Sequence, residues 1–149
     1  MNSGSTAPDI TFSFWNCEIS APADWRELKR NEDVLVIGSP DNSERATISE
    51  MSFRGDVTLD QFKRLCAHRL SAEKRYLVNG VVNASDPLRE GNSFEMLFSE
   101  VDKSVPRIFS GRLHCANRLL ITLYVEGVGI EPQQHFVTYD RLVKKLRRK

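Results

Sequence analysis

His114 and Cys115 stand side by side, a thiol and an imidazole of the kind that make a cysteine nucleophile. Their neighbourhood reads as a strand, and adjacent strand residues project to opposite faces, so the two cannot share a proton. Cys66 and His68 fail similarly, because two steps along a helix rotate the side chain by about 200°. With His135 the histidines are scattered, and neither His-x-x-x-His nor Cys-x-x-Cys spacing occurs, so no zinc site is expected. Asp24, Glu50, Glu95 and Glu100 are isolated acids better explained by solvated strand faces than by paired carboxylates. Gly127-Val128-Gly129 lacks the third glycine of a dinucleotide loop and any Gly-Lys-Ser/Thr, and it reads as a turn. The expectation is a protein that is not an enzyme and needs no cofactor. The rival is a small hydrolase, using Cys115 or a carboxylate, whose site assembles only in three dimensions.

Charge is the one compositional anomaly. The totals nearly cancel, with 21 Lys+Arg against 20 Asp+Glu. Residues 141–149 nevertheless hold six cations and no acid, which leaves 15 basic and 20 acidic residues elsewhere, a body of −5. Arg141, Lys144, Lys145, Arg147 and Arg148 are the candidate partner-binding residues, read as the end of a C-terminal helix. They suit an acidic protein partner. Nucleic acid would want more basic surface with interleaved aromatics. Cations at a helix C-terminus also complement its dipole, the structural explanation.

Cys17-Glu18-Ile19-Ser20-Ala21-Pro22-Ala23-Asp24-Trp25 ends a strand at a proline and places Trp25 to fold back over the sheet. Residues 1–9 read as a flexible tail without a signal sequence, and 10–149 as one α+β domain. Strands are expected at Thr11–Ser20, Asp33–Gly38 and Arg45–Phe53, the last two as a hairpin, with a turn or helical piece from Trp25 to Arg30. Thr58–Lys74 is the clearest helix. Thr58 and Gln61 form a Thr-x-x-Gln capping box, and Leu59, Phe62, Leu65, Cys66 and Leu70 share one stripe.

Four strands follow at Tyr76–Asn83, Ser93–Asp102, Arg107–Cys115 and Leu119–Glu126, joined by short turns that favour antiparallel pairing. Apolar residues on both faces make Leu119–Val125 central. A helix from Pro132 carries Phe136, Tyr139, Leu142, Val143 and Leu146. The order β-β-β-α-β-β-β-β-α predicts a mostly antiparallel sheet of six to seven strands with helices on its faces. Trp15 and the Phe94/Met96/Phe98 stripe are assigned to the core, or to a binding surface if one sheet face is uncovered.

That order, with Ile19-x-x-Pro22-x-x-Trp25, Ala46-Thr47-Ile48-Ser49, Thr58-Leu59-Asp60-Gln61-Phe62, Phe109-Ser110-Gly111 and Tyr124, resembles the PsbP/Mog superfamily. The resemblance covers residues 10–147. Its bacterial relatives include DcrB-like proteins and the Eag chaperones, which hold transmembrane segments of secreted toxins. It implies an α+β sandwich that binds without catalysis. The expected function is a cytoplasmic protein-binding accessory of a bacterial toxin system, either an immunity protein or an effector chaperone. Three widely spaced cysteines fit a reducing compartment. No membrane insertion is expected, and homo-oligomerisation is left open.

Overall fold

The computed structural model describes residues 8–76, 80–84, 93–100, 105, 107–116 and 118–149. The expected tail at 1–7, most of the 83–92 connection and residues 101–104 lie outside the described residues, as do the side chains of Leu70, Met96 and Phe98.

Among the described residues, ten strands and two helices follow the chain. They are β1 (Ile10–Phe14), β2 (Cys17–Ala21), β3 (Arg26–Arg30), β4 (Val34–Gly38), β5 (Glu44–Ser52), α1 (Leu59–Tyr76), β6 (Gly80–Ala84), β7 (Ser93–Glu100), β8 (Arg107–Ala116), β9 (Leu119–Val128), α2 (Pro132–Lys145) and β10 (Leu146–Arg148). Seven form an antiparallel sheet in the order β3-β4-β5-β9-β8-β7-β6, with β9 at its centre as its two apolar faces predict. The α+β sandwich expected from the sequence is the observed class.

Alternation along β9 divides the interior. Leu119, Ile121, Leu123 and Val125 face a core shared with Leu35, Ile37, Ala46 and Ile48. Leu120 faces the opposite side, where Phe62 and Cys66 of α1 pack on Phe94, Leu113 and Cys115. The capping box opens α1 as predicted: Thr58 N–H donates to Gln61 Oε1 at 2.9 Å, and Gln61 N–H to Thr58 Oγ1 at 3.2 Å.

Four local expectations are corrected. Thr11–Ser20 is a hairpin, β1 and β2, paired from Ile10↔Ala21 to Phe14↔Cys17 across the two-residue tip Trp15-Asn16. Trp25 does close over the core, 5 % exposed, after a turn in which its N–H donates to the Pro22 carbonyl. The segment after it is edge strand β3, however, not a turn or helix. All five β3 residues are exposed and mostly charged, with a bulge between Glu27 and Lys29, as suits an unpaired edge. Tyr76 is the last residue of α1 rather than the start of a strand, and the strand there begins at Gly80.

The fourth correction matters most for function. α2 stops at Lys145, and Leu146–Arg148 leave it as a strand pairing with β2, Leu146↔Ile19 through Arg148↔Cys17. The small sheet β1-β2-β10 and α2 together cover one face of the large sheet. Periodicity through Leu146 extends the helical pattern, but Leu146 packs with the Ile19 core from a strand.

A cationic rim beside an exposed tryptophan

The Trp15-Asn16 tip has the features of a held, presented loop. Trp15 is not in the core to which the sequence assigns it: it is 62 % exposed and adopts φ +46°, a left-handed conformation that costs a non-glycine residue about 1–2 kcal/mol. The surroundings fix it. Its indole Nε1–H donates to the Glu32 carbonyl at 3.0 Å, and its ring meets Phe14 edge-on. Both carboxylate oxygens of Glu50 accept from the Asn16 N–H, at 3.2 and 3.1 Å, and Asn16 Nδ2 donates to Oε1 at 3.0 Å. The N–H of Lys149 donates to the Asn16 carbonyl, which ties the end of β10 to the tip.

A cleft of about 550 Å³ opens beside that tip, lined by Asn16, Ser52, Asp56, Arg118, Leu119 and Arg148. Arg118 makes an exposed ion pair with Asp56 at 3.3 Å. Arg148 also borders a second, smaller notch of about 160 Å³, shared with Arg112, His114 and Arg147.

The predicted cations therefore separate into two groups. Arg141 is paired with Asp9, and Lys144 with Asp140 at 3.5 Å one helical turn back. Lys145 sits on the last turn of α2 beside them, where it complements the helix dipole. Arg147 and Arg148 are carried by β10 alongside β2, opposite Glu18 and Cys17, and Arg148 lines the cleft at Asn16, whereas Trp15 borders a separate groove with Phe14, Arg30, Asn31 and Glu32. Arg112 joins Arg147 and Arg148 at the notch, and Arg118 joins Arg148 at the cleft, without any sequence signal, since both come from β8 and the turn that follows it.

Two serine–histidine pairs lie on the α2 side of the large sheet. Ser110 Oγ and His135 Nε2 are 2.7 Å apart and buried, and burial pushes the His135 pKa down to about 4. Ser93 Oγ and His114 Nδ1 are 2.8 Å apart, and Arg112 Nη2 donates to the same Ser93 oxygen at 3.1 Å. The Ser93 oxygen thus joins Arg112 to the His114 ring. Burial, then Arg112 and Arg148, hold the His114 pKa below its ordinary value. A general base must become a cation, and two arginines oppose that. The charges suit holding an anion better than activating a serine.

Cys115 faces the α1 core and His114 the opposite side, as their adjacency in a strand requires. Burial raises all three thiols; Cys66 reaches about 12, with neighbouring Cys115 contributing, and none of the three is in a disulfide. Such thiols are poor nucleophiles. Glu95 accepts from the Tyr139 hydroxyl at 2.5 Å. Gly127-Val128-Gly129 is strand end and turn, with Gly129 at φ +69°. No group of three or more His, Cys, Asp or Glu suited to a metal occurs among the described residues, where no helix is long and apolar enough to cross a membrane.

No family model and no curated protein matches the chain. Solved structures do. The solution structure of cyanobacterial PsbP (CyanoP) from Synechocystis sp. PCC 6803 superposes with a TM-score of 0.61 at 14% identity, covering 100% of this chain and 98% of that one. A crystal structure from Bacteroides thetaiotaomicron VPI-5482 gives 0.59 at 10% identity over 89% of this chain and 45% of that one, so this chain spans less than half of that protein. The chain has a PsbP-like fold.

Proposed function

We propose that the protein is a non-catalytic protein-binding module that docks an acidic partner across the Trp15-Asn16 tip, the adjoining cleft lined by Arg118 and Arg148, and the notch that Arg147 shares with Arg148. The observation that carries this is Trp15 itself: a large ring left in solvent, in a costly backbone conformation, and fastened there by hydrogen bonds. Backbone strain of this kind is retained where surrounding structure over-determines it, often at ligand clamps. A rigid tryptophan with Arg30 at its groove also has the composition of an interface anchor, since little side-chain freedom remains to be lost on binding.

Within that class, the fold resemblance supports a cytoplasmic accessory of a bacterial toxin system, and three buried cysteines outside any disulfide suit a reducing compartment. We favour the immunity role, in which a folded toxin domain is the partner. A chaperone for a transmembrane segment must cover about 20 apolar residues, some 30 Å of helix. The apolar groove between Phe53, Val57 and Leu65 has about 470 Å³, room for a few side chains.

The test is co-expression with the product of the neighbouring gene, as separate folded-domain and apolar-segment fragments. A complex with the folded domain that Trp15→Ala weakens at least tenfold supports the reading. No complex with either fragment, or one indifferent to Trp15, counts against it.

A further inference from the structure

We propose that the notch between β8 and β10 is a subsite for an aliphatic carboxylate, seating a glutamate-type side chain of the acidic partner. This deepens the docking reading above and rests on it. The notch has two chemically different parts. Arg112, Arg147 and Arg148 stand at its rim with neutral His114, whereas its floor is Ile121, Val143 and Leu146. Arg112 is already oriented by its bond to Ser93 Oγ, so one guanidinium is positioned before any ligand arrives. The acids nearby face other groups as well: Glu95 lies opposite Arg112 in register and takes the Tyr139 hydroxyl, and Glu18 lies opposite Arg147.

Size and polarity choose the ligand class. A volume of about 160 Å³ admits one short side chain and excludes a nucleotide. A phosphate presents oxygens in every direction, and those facing the apolar floor would be desolvated without a partner. A carboxylate on methylenes presents both oxygens at one end, where a guanidinium fork matches them, and lays its stem on the floor.

The experiment is an NMR titration of the full chain at constant ionic strength, following the His114 ring, with butyrate, acetate, butyramide and inorganic phosphate as probes. Butyrate should give a saturable His114 shift at lower concentration than acetate or phosphate, and neutral butyramide should give none. Arg148→Gln, at an exposed position, should raise the butyrate half-saturation about fivefold, the scale of one exposed ion pair. Equal responses to butyrate and butyramide, a stronger response to phosphate, or no saturable shift would overturn the proposal; these arms use the unaltered chain and stand even if the variant misfolds. An absent butyrate response with partner binding still dependent on Trp15 removes the subsite alone. A normal butyrate response with no partner complex removes the docking reading alone.

Discussion

Trp15 and Glu32 are joined by a single hydrogen bond, indole N–H to backbone carbonyl, that ties the tip of the first hairpin to the turn between β3 and β4. That bond opposes the left-handed φ of Trp15, so two substitutions separate the effects. Trp15→Ala loses the bond and keeps the strain, and should destabilise by about 1–2 kcal/mol. Trp15→Gly also loses the bond but relieves the strain, and should be about 1 kcal/mol more stable than the alanine variant. Urea unfolding of both decides this, and a glycine variant no more stable than alanine would remove strain from the account.

His135 is fully buried, with its folded pKa at about 4 against 6.5 for an ordinary histidine. The unfolded chain therefore binds the proton more readily between those values. This contribution to stability is complete above pH 6.5, falls as the pH drops through that window, and is fully lost below about pH 4. From pH 7.5 to 5 the loss should be about 2 kcal/mol, with His114 adding to it in the same direction. Denaturant unfolding at the two pH values, for the parent and for His135→Gln, checks it: the variant should show a shallower dependence.

Thr58→Ala removes one half of the capping box and leaves the Gln61 N–H without its side-chain acceptor. A cost of about 1 kcal/mol is expected. Because α1 packs on the face away from the rim, partner binding should not change. A variant that loses binding in proportion to stability would contradict that separation.

The divided fate of the C-terminal cations predicts an asymmetry. Replacing Arg147 and Arg148 with Gln should slow association with an acidic partner several-fold at low salt, because both line the notch and Arg148 also lines the cleft at Asn16. The Lys144, Lys145 pair of substitutions should do less, since these residues lie on α2 and Lys144 already faces Asp140. All rates should converge as salt shortens the screening length below about 8 Å. Stopped-flow kinetics at two ionic strengths would show it, and equal on-rates for both double variants would return these residues to a solvated chain end.

What the sequence discloses follows the range of the interaction. The Thr58-Gln61 box, the Pro22-Trp25 turn and the two-faced β9 are written in neighbouring residues, and all are found where expected. β3 escapes because its exposed, charged residues leave no apolar alternation to read. The tip at Trp15 escapes because hairpins of this size usually carry Gly or Asn-Gly at the left-handed position, and the tryptophan there is held from far along the chain, by Glu32 at its indole and by Glu50 at the neighbouring Asn16. β10 is mistaken for helix because Leu146 continues the α2 stripe, while its strand partner lies at Ile19. Arg147 and Arg148 were legible as charge, but their companions Arg112 and Arg118 were not, since only the sheet register brings them to the same rim.

The pairing of β10 with β2 joins residues from opposite ends of the domain. While the chain is being synthesised, the first hairpin has emerged long before its third strand exists. Until residues 146–148 arrive, the outer edge of β2 offers unpaired N–H and C=O groups to any other nascent chain. A pairing this distant also closes late and slowly, because its loop entropy must be met first. Ribosome-bound intermediates should therefore be soluble only while that edge is shielded, and the rim beside Trp15 is the last surface to form.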